Sequence, residues 1–237
     1  MLSIKNLSVQ YEEKLAVADI SIDFPQKRIS GLIGPNGAGK SSLIKACVGM
    51  ISEYSGKILF NDKLLNENRH WVKKHCGYAP EDTTLMPYLK GREFLEMIGV
   101  LRKSSDLKNE IETLFQMFNM QDMSNELIVN LSHGMRQKLS IASTLIGRPQ
   151  YLFFDEALNG LDPISLFNLK KHLNELAADG NTILLSSHVL SLIQSWCDPI
   201  VIMHQGKILK TITKNEISIM ESEKMKSFEE IFVGMVK

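Results

Sequence analysis

A lysine and a hydroxyl close a glycine-rich run, Gly34-Pro35-Asn36-Gly37-Ala38-Gly39-Lys40-Ser41, and those residues at that spacing suit one task, holding phosphate. Glycines let the chain curl until successive N–H groups face one anion, and the helix that follows adds its positive end. Lys40 then reaches terminal phosphates and Ser41 offers an oxygen to Mg²⁺, so Gly34 through Ser42 form the candidate nucleotide-binding segment. Asp155 and Glu156 end the run "YLFFDE", an apolar strand whose C-terminal end is where open α/β sheets bind ligands. There Asp155 can hold Mg²⁺ through water. Glu156, one residue further on and projecting differently, can orient and deprotonate a water attacking a γ-phosphate. Each pattern has a plainer counterpart: a chance glycine turn, or two solvated acids at a strand end. A phosphate cradle by itself is common to ATPases, GTPases and kinases.

These side chains need a parallel sheet beneath them, and the hydrophobic pattern predicts one. "RISGLIG" is a compact apolar run leading through the glycine loop to "SSLIKACVGM", where Leu43, Ile44, Cys47 and Val48 share a helical face. Before it, "ADISIDF" alternates Ala18, Ile20, Ile22 and Phe24 with polar residues, the pattern of a half-buried strand. "GKILFNDKLL" reads as two short extended runs meeting at Asn61-Asp62. From about Pro87 to Leu145 the chain reads as helical, with Ile111, Leu114, Phe115 and Phe118 at i, i+3, i+4, i+7 and a second set at Leu139, Ala142 and Ile146. Strands and helices then alternate. "YLFF" and "TILLSS" are buried strands on either side of a helix that keeps Leu166, Leu169, Leu173 and Leu176 inside and ends at Gly180. "PIVIMHQGKIL" is a strand entering a turn, and the Met- and Glu-rich tail after Thr211 is expected to be helical. Such alternation argues for a parallel sheet flanked by helices.

Lys+Arg and Asp+Glu both number 27, giving zero net charge, so no global field recruits nucleic acid and none is expected as a partner. No stretch is long and apolar enough to span a bilayer. The start "MLSIKNLSVQ" lacks the layout of a secretory signal. Cys47, Cys76 and Cys197 are odd in number and far apart, which predicts reduced, idle thiols in a cytoplasmic protein.

A further segment, "NLSHGMRQKLSIAS", places Ser132, His133 and Gly134 at the mouth of an amphipathic helix. Together with the phosphate loop and the "YLFFDE" strand, it resembles the nucleotide-binding subunits of ABC transporters, with the motifs in family order over nearly the whole chain. The resemblance implies an α/β fold: a RecA-like P-loop NTPase core with an N-terminal antiparallel β layer and an inserted helical lobe. It implies one ABC ATPase domain over residues 1–237. Residues 1–82 and 146–210 form the core and β layer, 83–145 the lobe with the signature, and 211–237 a helical tail.

The family's roles carry over onto matching positions. "LSHGMRQ" stands where the family has Leu-Ser-Gly-Gly-Gln, so Ser132, His133 and Gly134 are expected to bind the γ-phosphate held by a partner subunit. His133 replaces the first Gly and Met135 the Gln. A cradle built from N–H groups tolerates that exchange if φ at His133 is negative; its ring then faces either phosphate or solvent and partner. Glu81 in "YAPED" occupies the position of the family's Q-loop glutamine and is an expected Mg²⁺ ligand with Ser41 and Asp155. His188 in "LLSSHVL" matches the switch histidine, which makes it catalytic beside Glu156 and Lys40. Asp162 matches the D-loop along the dimer seam, and Tyr11 the aromatic that stacks on adenine.

The implied function is ATP hydrolysis with Mg²⁺, ATP being sandwiched between two cassettes facing head to tail, either two copies or a copy and a relative. A separate polytopic membrane subunit is the implied partner, and the inner face of the cell membrane the implied location. "GYAPED", "LSHGM" and "LNGLDP" are most similar to bacterial exporter ATPases of drug, antibiotic or peptide export and immunity. A soluble ABC ATPase acting on a macromolecular complex is the alternative, though the coiled-coil insertions and tandem domains of such relatives are missing. A scaffold that binds ATP without cleaving it is the third, opposed by the presence of Lys40, Glu156 and His188 together.

Overall fold

Tyr151–Asp155 and Thr182–Ser186 are buried at every position, as strands covered on both faces must be. The computed structural model describes residues 1–236. The chain runs through β1 (Leu2–Tyr11), β2 (Lys14–Phe24), β3 (Arg28–Ile33), α1 (Lys40–Cys47), β4 (Ser55–Phe60), β5 (Lys63–Leu64), α2 (Arg69–His75) and β6 (Cys76–Ala79). It then forms three helices, α3 (Gly91–Arg102), α4 (Leu107–Met117) and α5 (His133–Leu145). It returns with β7 (Tyr151–Asp155), α6 (Pro163–Ala178), β8 (Thr182–Ser186), α7 (Leu190–Trp196), β9 (Ile200–His204) and β10 (Lys207–Ile212), and closes with α8 (Lys214–Lys224) and α9 (Phe228–Val236).

The strands form two sheets. One is antiparallel in the order β2-β1-β4-β5; the other runs β10-β9-β3-β8-β7-β6, parallel from β9 to β6 with β10 antiparallel at its edge. Successive side chains of a strand face opposite sides, and the two cores follow from that. Leu152, Phe154, Ile183 and Leu185 pack toward the core shared with α3 to α7. Tyr151, Phe153 and Leu184 pack toward α1 and the antiparallel sheet. The sheet therefore has α1, α2 and the β layer on one face and α3 to α9 on the other. The C-terminal ends of β3, β7 and β8 lie side by side, since Leu32 and Asp155 both pair with Ser186.

Three local expectations change. In β2 the buried set is Val17, Ile20 and Phe24, with Ala18 only half-buried, because Asp19 takes a left-handed φ of 52° and shifts the alternation. Its displaced N–H donates to Ser8 Oγ at 2.9 Å. The helical reading from Pro87 to Leu145 fails between α4 and α5, where two 3₁₀ turns stand in place of helix. That stretch, "NMQDMSNELIVN", is rich in Asn, Asp and Ser, whose side chains compete for backbone groups and favour turns. The C-terminal helices begin later than residue 211, because β10 continues to Ile212 and Thr213 caps α8.

Arg102, the last residue of α3, ties these helices to the sheet. Its guanidinium donates to the carbonyls of Ser143, Thr144 and Ile146 at 2.8, 3.1 and 2.8 Å, and to Cys76 in β6 at 3.3 Å. It thus satisfies the orphan carbonyls at the end of α5. Burial lowers its pKa to about 10, which leaves it charged at neutral pH.

Candidate nucleotide site

The phosphate loop spans the gap between β3 and α1, at the C-terminal edge of the sheet. Gly39 precedes α1 with φ of 103°, and a Cβ there would run into the Ala16 carbonyl oxygen, so the tight turn demands glycine. Lys40, 6% exposed, donates from Nζ to Gly34 O at 2.8 Å and Pro35 O at 3.4 Å, and lies 3.5 Å from Glu156 Oε1. An ammonium held by carbonyls and one carboxylate inside a loop of N–H groups is arranged to meet phosphate oxygens.

Asp155 sits at the end of β7. Its Oδ1 accepts from Ser41 Oγ at 3.0 Å and from Ser186 Oγ at 2.8 Å, and its Oδ2 lies 3.5 Å from the Tyr78 hydroxyl. Burial, with Asp155 adding to it, raises the Tyr78 phenol above its ordinary range, so it stays a neutral donor. Ser41, Asp155 and Glu81 are all hard oxygen donors, the kind Mg²⁺ takes. Glu81 lines the same cleft as Ser41. Among the described residues no group of three or more His, Cys, Asp or Glu is placed to hold a metal alone, and Mg²⁺ in general takes phosphate oxygens and water beside one or two protein ligands. The residues fit a metal that arrives with a nucleotide.

Glu156 is 6% exposed and has a left-handed φ of 53°. For a residue with a Cβ this costs about 1–3 kcal/mol. Its N–H donates to Ser186 O and Ser186 Oγ, both at 3.1 Å, which holds the strained peptide against β8. Its Oε2 accepts from His188 N at 3.0 Å, His188 Nδ1 at 2.9 Å and Asn159 Nδ2 at 3.4 Å. A carboxylate so held has fixed orientation and one oxygen facing Lys40.

A cleft of about 590 Å³ collects Tyr11, residues 36–42, Glu81, Glu156 and His188, and also Lys14 and Ala16. Tyr11 is about half exposed at its mouth. Ser132, His133, Gly134 and Asp162 do not line it. Ser132 instead caps α5: its Oγ accepts from Met135 N at 3.3 Å, and its own N–H approaches Met135 Sδ at 3.4 Å. His133 lies in the first turn of α5 and is not among the residues with positive φ, which meets the condition for an N–H cradle. Ser132 and His133 are exposed.

The Asp162 carboxylate is engaged within its own chain. It caps α6 by accepting from Ile164 N at 3.1 Å, Ser165 N at 3.0 Å and Ser165 Oγ at 2.6 Å, and it pairs with Lys138 of α5 at 2.6 Å. The bond from Lys138, then those from Ser165, hold its pKa well below the usual carboxylate range. Lys14, Tyr78, Asn159 and Ser186 went unnoticed in the sequence. Only Ser186 had a visible signal, its position at the end of a buried strand. The three cysteines are buried and unpaired, and burial pushes Cys47 and Cys197 up to about 12, which makes them inert as thiolates at neutral pH.

The profile of the ABC transporter family matches residues 17–159, which include the phosphate loop, Asp155 and Glu156. The chain belongs to the ABC transporter family. It is an ATP-binding subunit of that family, and its reaction is ATP hydrolysis. This ABC ATPase is 32% identical over 212 residues to the lantibiotic transport ATP-binding protein SrtF of Streptococcus pyogenes, covering 88% of this chain and 89% of the relative. It is 31% identical to the bacitracin transport ATP-binding protein BcrA of Enterococcus faecalis, over 92% of this chain and 70% of that one. Among solved structures, an ATP-binding subunit of an ABC transporter superposes over 100% of both chains with a TM-score of 0.93 at 28% identity. The RecA-like core with its antiparallel layer and inserted helices is thus the family's architecture.

Proposed function

We propose that this ABC ATPase powers export by a separate membrane subunit, through ATP-driven head-to-tail dimerisation. The observation that carries the proposal is a division of labour: one cleft gathers Tyr11, Lys40, Ser41, Glu156 and His188, while Ser132 and Gly134 stand outside it on the N-terminus of another helix. Facing copies bring each such helix end to the other's cleft, where its N–H groups and positive end receive phosphate.

In this reading Tyr11 stacks on adenine, residues 34–42 wrap the phosphates, and Lys40 turns its ammonium to the terminal ones. Ser41, Asp155 and Glu81 would hold Mg²⁺, which would supply positive charge to offset that of the phosphates. Glu156 accepts a proton from the water that attacks the γ-phosphorus as the bond to ADP breaks. His188 keeps the Glu156 carboxylate in line, and Ser132, His133 and Gly134 of the facing chain grip the γ-phosphate. The D-loop holding Asp162 runs along the seam.

Export is supported by the printed roles of SrtF and BcrA in lantibiotic and bacitracin transport. No helix among the described residues is long and apolar enough to cross a membrane. The proposed place is the cytoplasmic face, against a polytopic partner. Glu156→Gln tests the chemistry: general-base removal lowers ATPase by about 10²-fold or more, keeps ATP binding, and accumulates an ATP-bound dimer in size-exclusion chromatography. Wild-type turnover by that variant contradicts the reading.

A further inference from the structure

Gln137 lies one turn inside α5 with 1% of its surface exposed. Its Nε2 donates to the Ala157 carbonyl at 2.6 Å, while its Oε1 is buried without a partner. A carboxamide satisfied at one end only is a poor core filler, since a methionine or leucine of similar bulk buries no orphaned oxygen. What the amide supplies and a hydrocarbon cannot is the bond to Ala157, the residue after Glu156.

That turn is under strain, with φ of 53° at Glu156. From one side β8 holds it through Ser186, which accepts the Glu156 N–H at 3.1 Å. From the other side the holding bond comes from Gln137. One residue along α5, Lys138 pairs with Asp162 at 2.6 Å, so the same helix grips both ends of the segment 157–162. The helix that does this is the one opened by Ser132.

We infer that Gln137 is a positioning residue for hydrolysis: its bond to the Ala157 carbonyl fixes the Glu156 turn to α5, so that a displacement of α5 at its Ser132 end is passed to the Glu156 carboxylate. The inference rests on the proposed roles of Glu156 and Ser132. It gives each cleft a mechanical link to the facing one, because the helix that grips the partner's nucleotide also holds its own chain's base.

The test compares Gln137→Met with the parent full-length ATPase, with Gln137→Leu alongside to expose a packing defect peculiar to one side chain. The expected result is a fall in kcat of about tenfold or more, the scale of a misplaced reacting group, with KM for ATP within about twofold and melting temperature unchanged or raised. In a Glu156→Gln background the same substitution leaves the residual single-turnover rate unchanged, because a missing base cannot be misaligned. Unchanged kcat overturns the inference. So does a loss matched by falling melting temperature or ATP affinity in both variants, and so does an equal loss in the Glu156→Gln background. If Glu156→Gln alone keeps full turnover, the role of Glu156 has failed; if it is inactive while Gln137→Met runs at the parent rate, only the link through Gln137 has.

Discussion

The Glu156 carboxylate takes two bonds from His188 on the same oxygen, one from the backbone N–H at 3.0 Å and one from ring Nδ1 at 2.9 Å. The backbone bond survives a change to alanine, so the ring can be removed without releasing Glu156 altogether. In a neutral ring whose Nδ1 carries the proton toward the carboxylate, Nε2 is left for a ligand.

His188→Ala deletes one charge-assisted bond of the kind worth about 1.5–3 kcal/mol. We expect kcat to fall about 10- to 100-fold and KM for ATP to move less than threefold. Steady-state ATPase assays check this, and an unchanged kcat removes the ring from the chemistry.

Glu81 places a carboxylate in the cleft with Ser41. Glu81→Gln keeps the shape and removes the charge. The Mg²⁺ concentration for half-maximal ATPase should rise about tenfold, the scale of about 1.4 kcal/mol, while ATP binding in the presence of a chelator stays constant or tightens as repulsion is relieved. Superimposable Mg²⁺ titrations argue against ligation by Glu81.

Asp162 links α5 to α6 through Lys138 and the α6 cap. Its pKa is depressed in the folded state, chiefly by Lys138 and then Ser165. Its contribution is therefore present above the unfolded carboxylate pKa of about 4 and is lost as pH falls below that value. With 43% of the side chain exposed, solvent screening keeps the effect near about 1 kcal/mol or less. Asp162→Asn should melt about 2–4 °C below the parent at pH 7, and the two curves should converge as pH drops below about 4. A gap that widens in acid contradicts this assignment.

The phosphate loop and the acids at the end of β7 could be read from sequence because their work depends on local backbone, on glycine spacing and on an apolar strand that delivers the next residue to an edge. The parallel sheet was legible for the same reason. Partnerships across distance were not. Tyr78 meets Asp155 and Gln137 meets Ala157 only because β6, β7 and α5 pack together. The engagement of Asp162 by Lys138 was hidden likewise, since a lysine in an amphipathic helix looks solvated until α6 lies beside it. Asp19 and the turns before α5 were misread where polar residues favour irregular backbone over the prevailing period.

In the proposed head-to-tail pair each ATP is held by two chains, and a mixing experiment tests this most directly. In the proposed arrangement Lys40→Ala would ruin a cleft in its own chain, whereas Ser132→Arg would ruin the cleft of the facing chain. A dimer of one Lys40→Ala and one Ser132→Arg chain thus has both lesions in one site and an intact second site. With random pairing, half the dimers are mixed, so ATPase should recover to about a quarter of the wild-type rate per chain, far above either variant alone. A mixture no more active than the mean of its two parents would mean that each chain cleaves ATP within a site of its own.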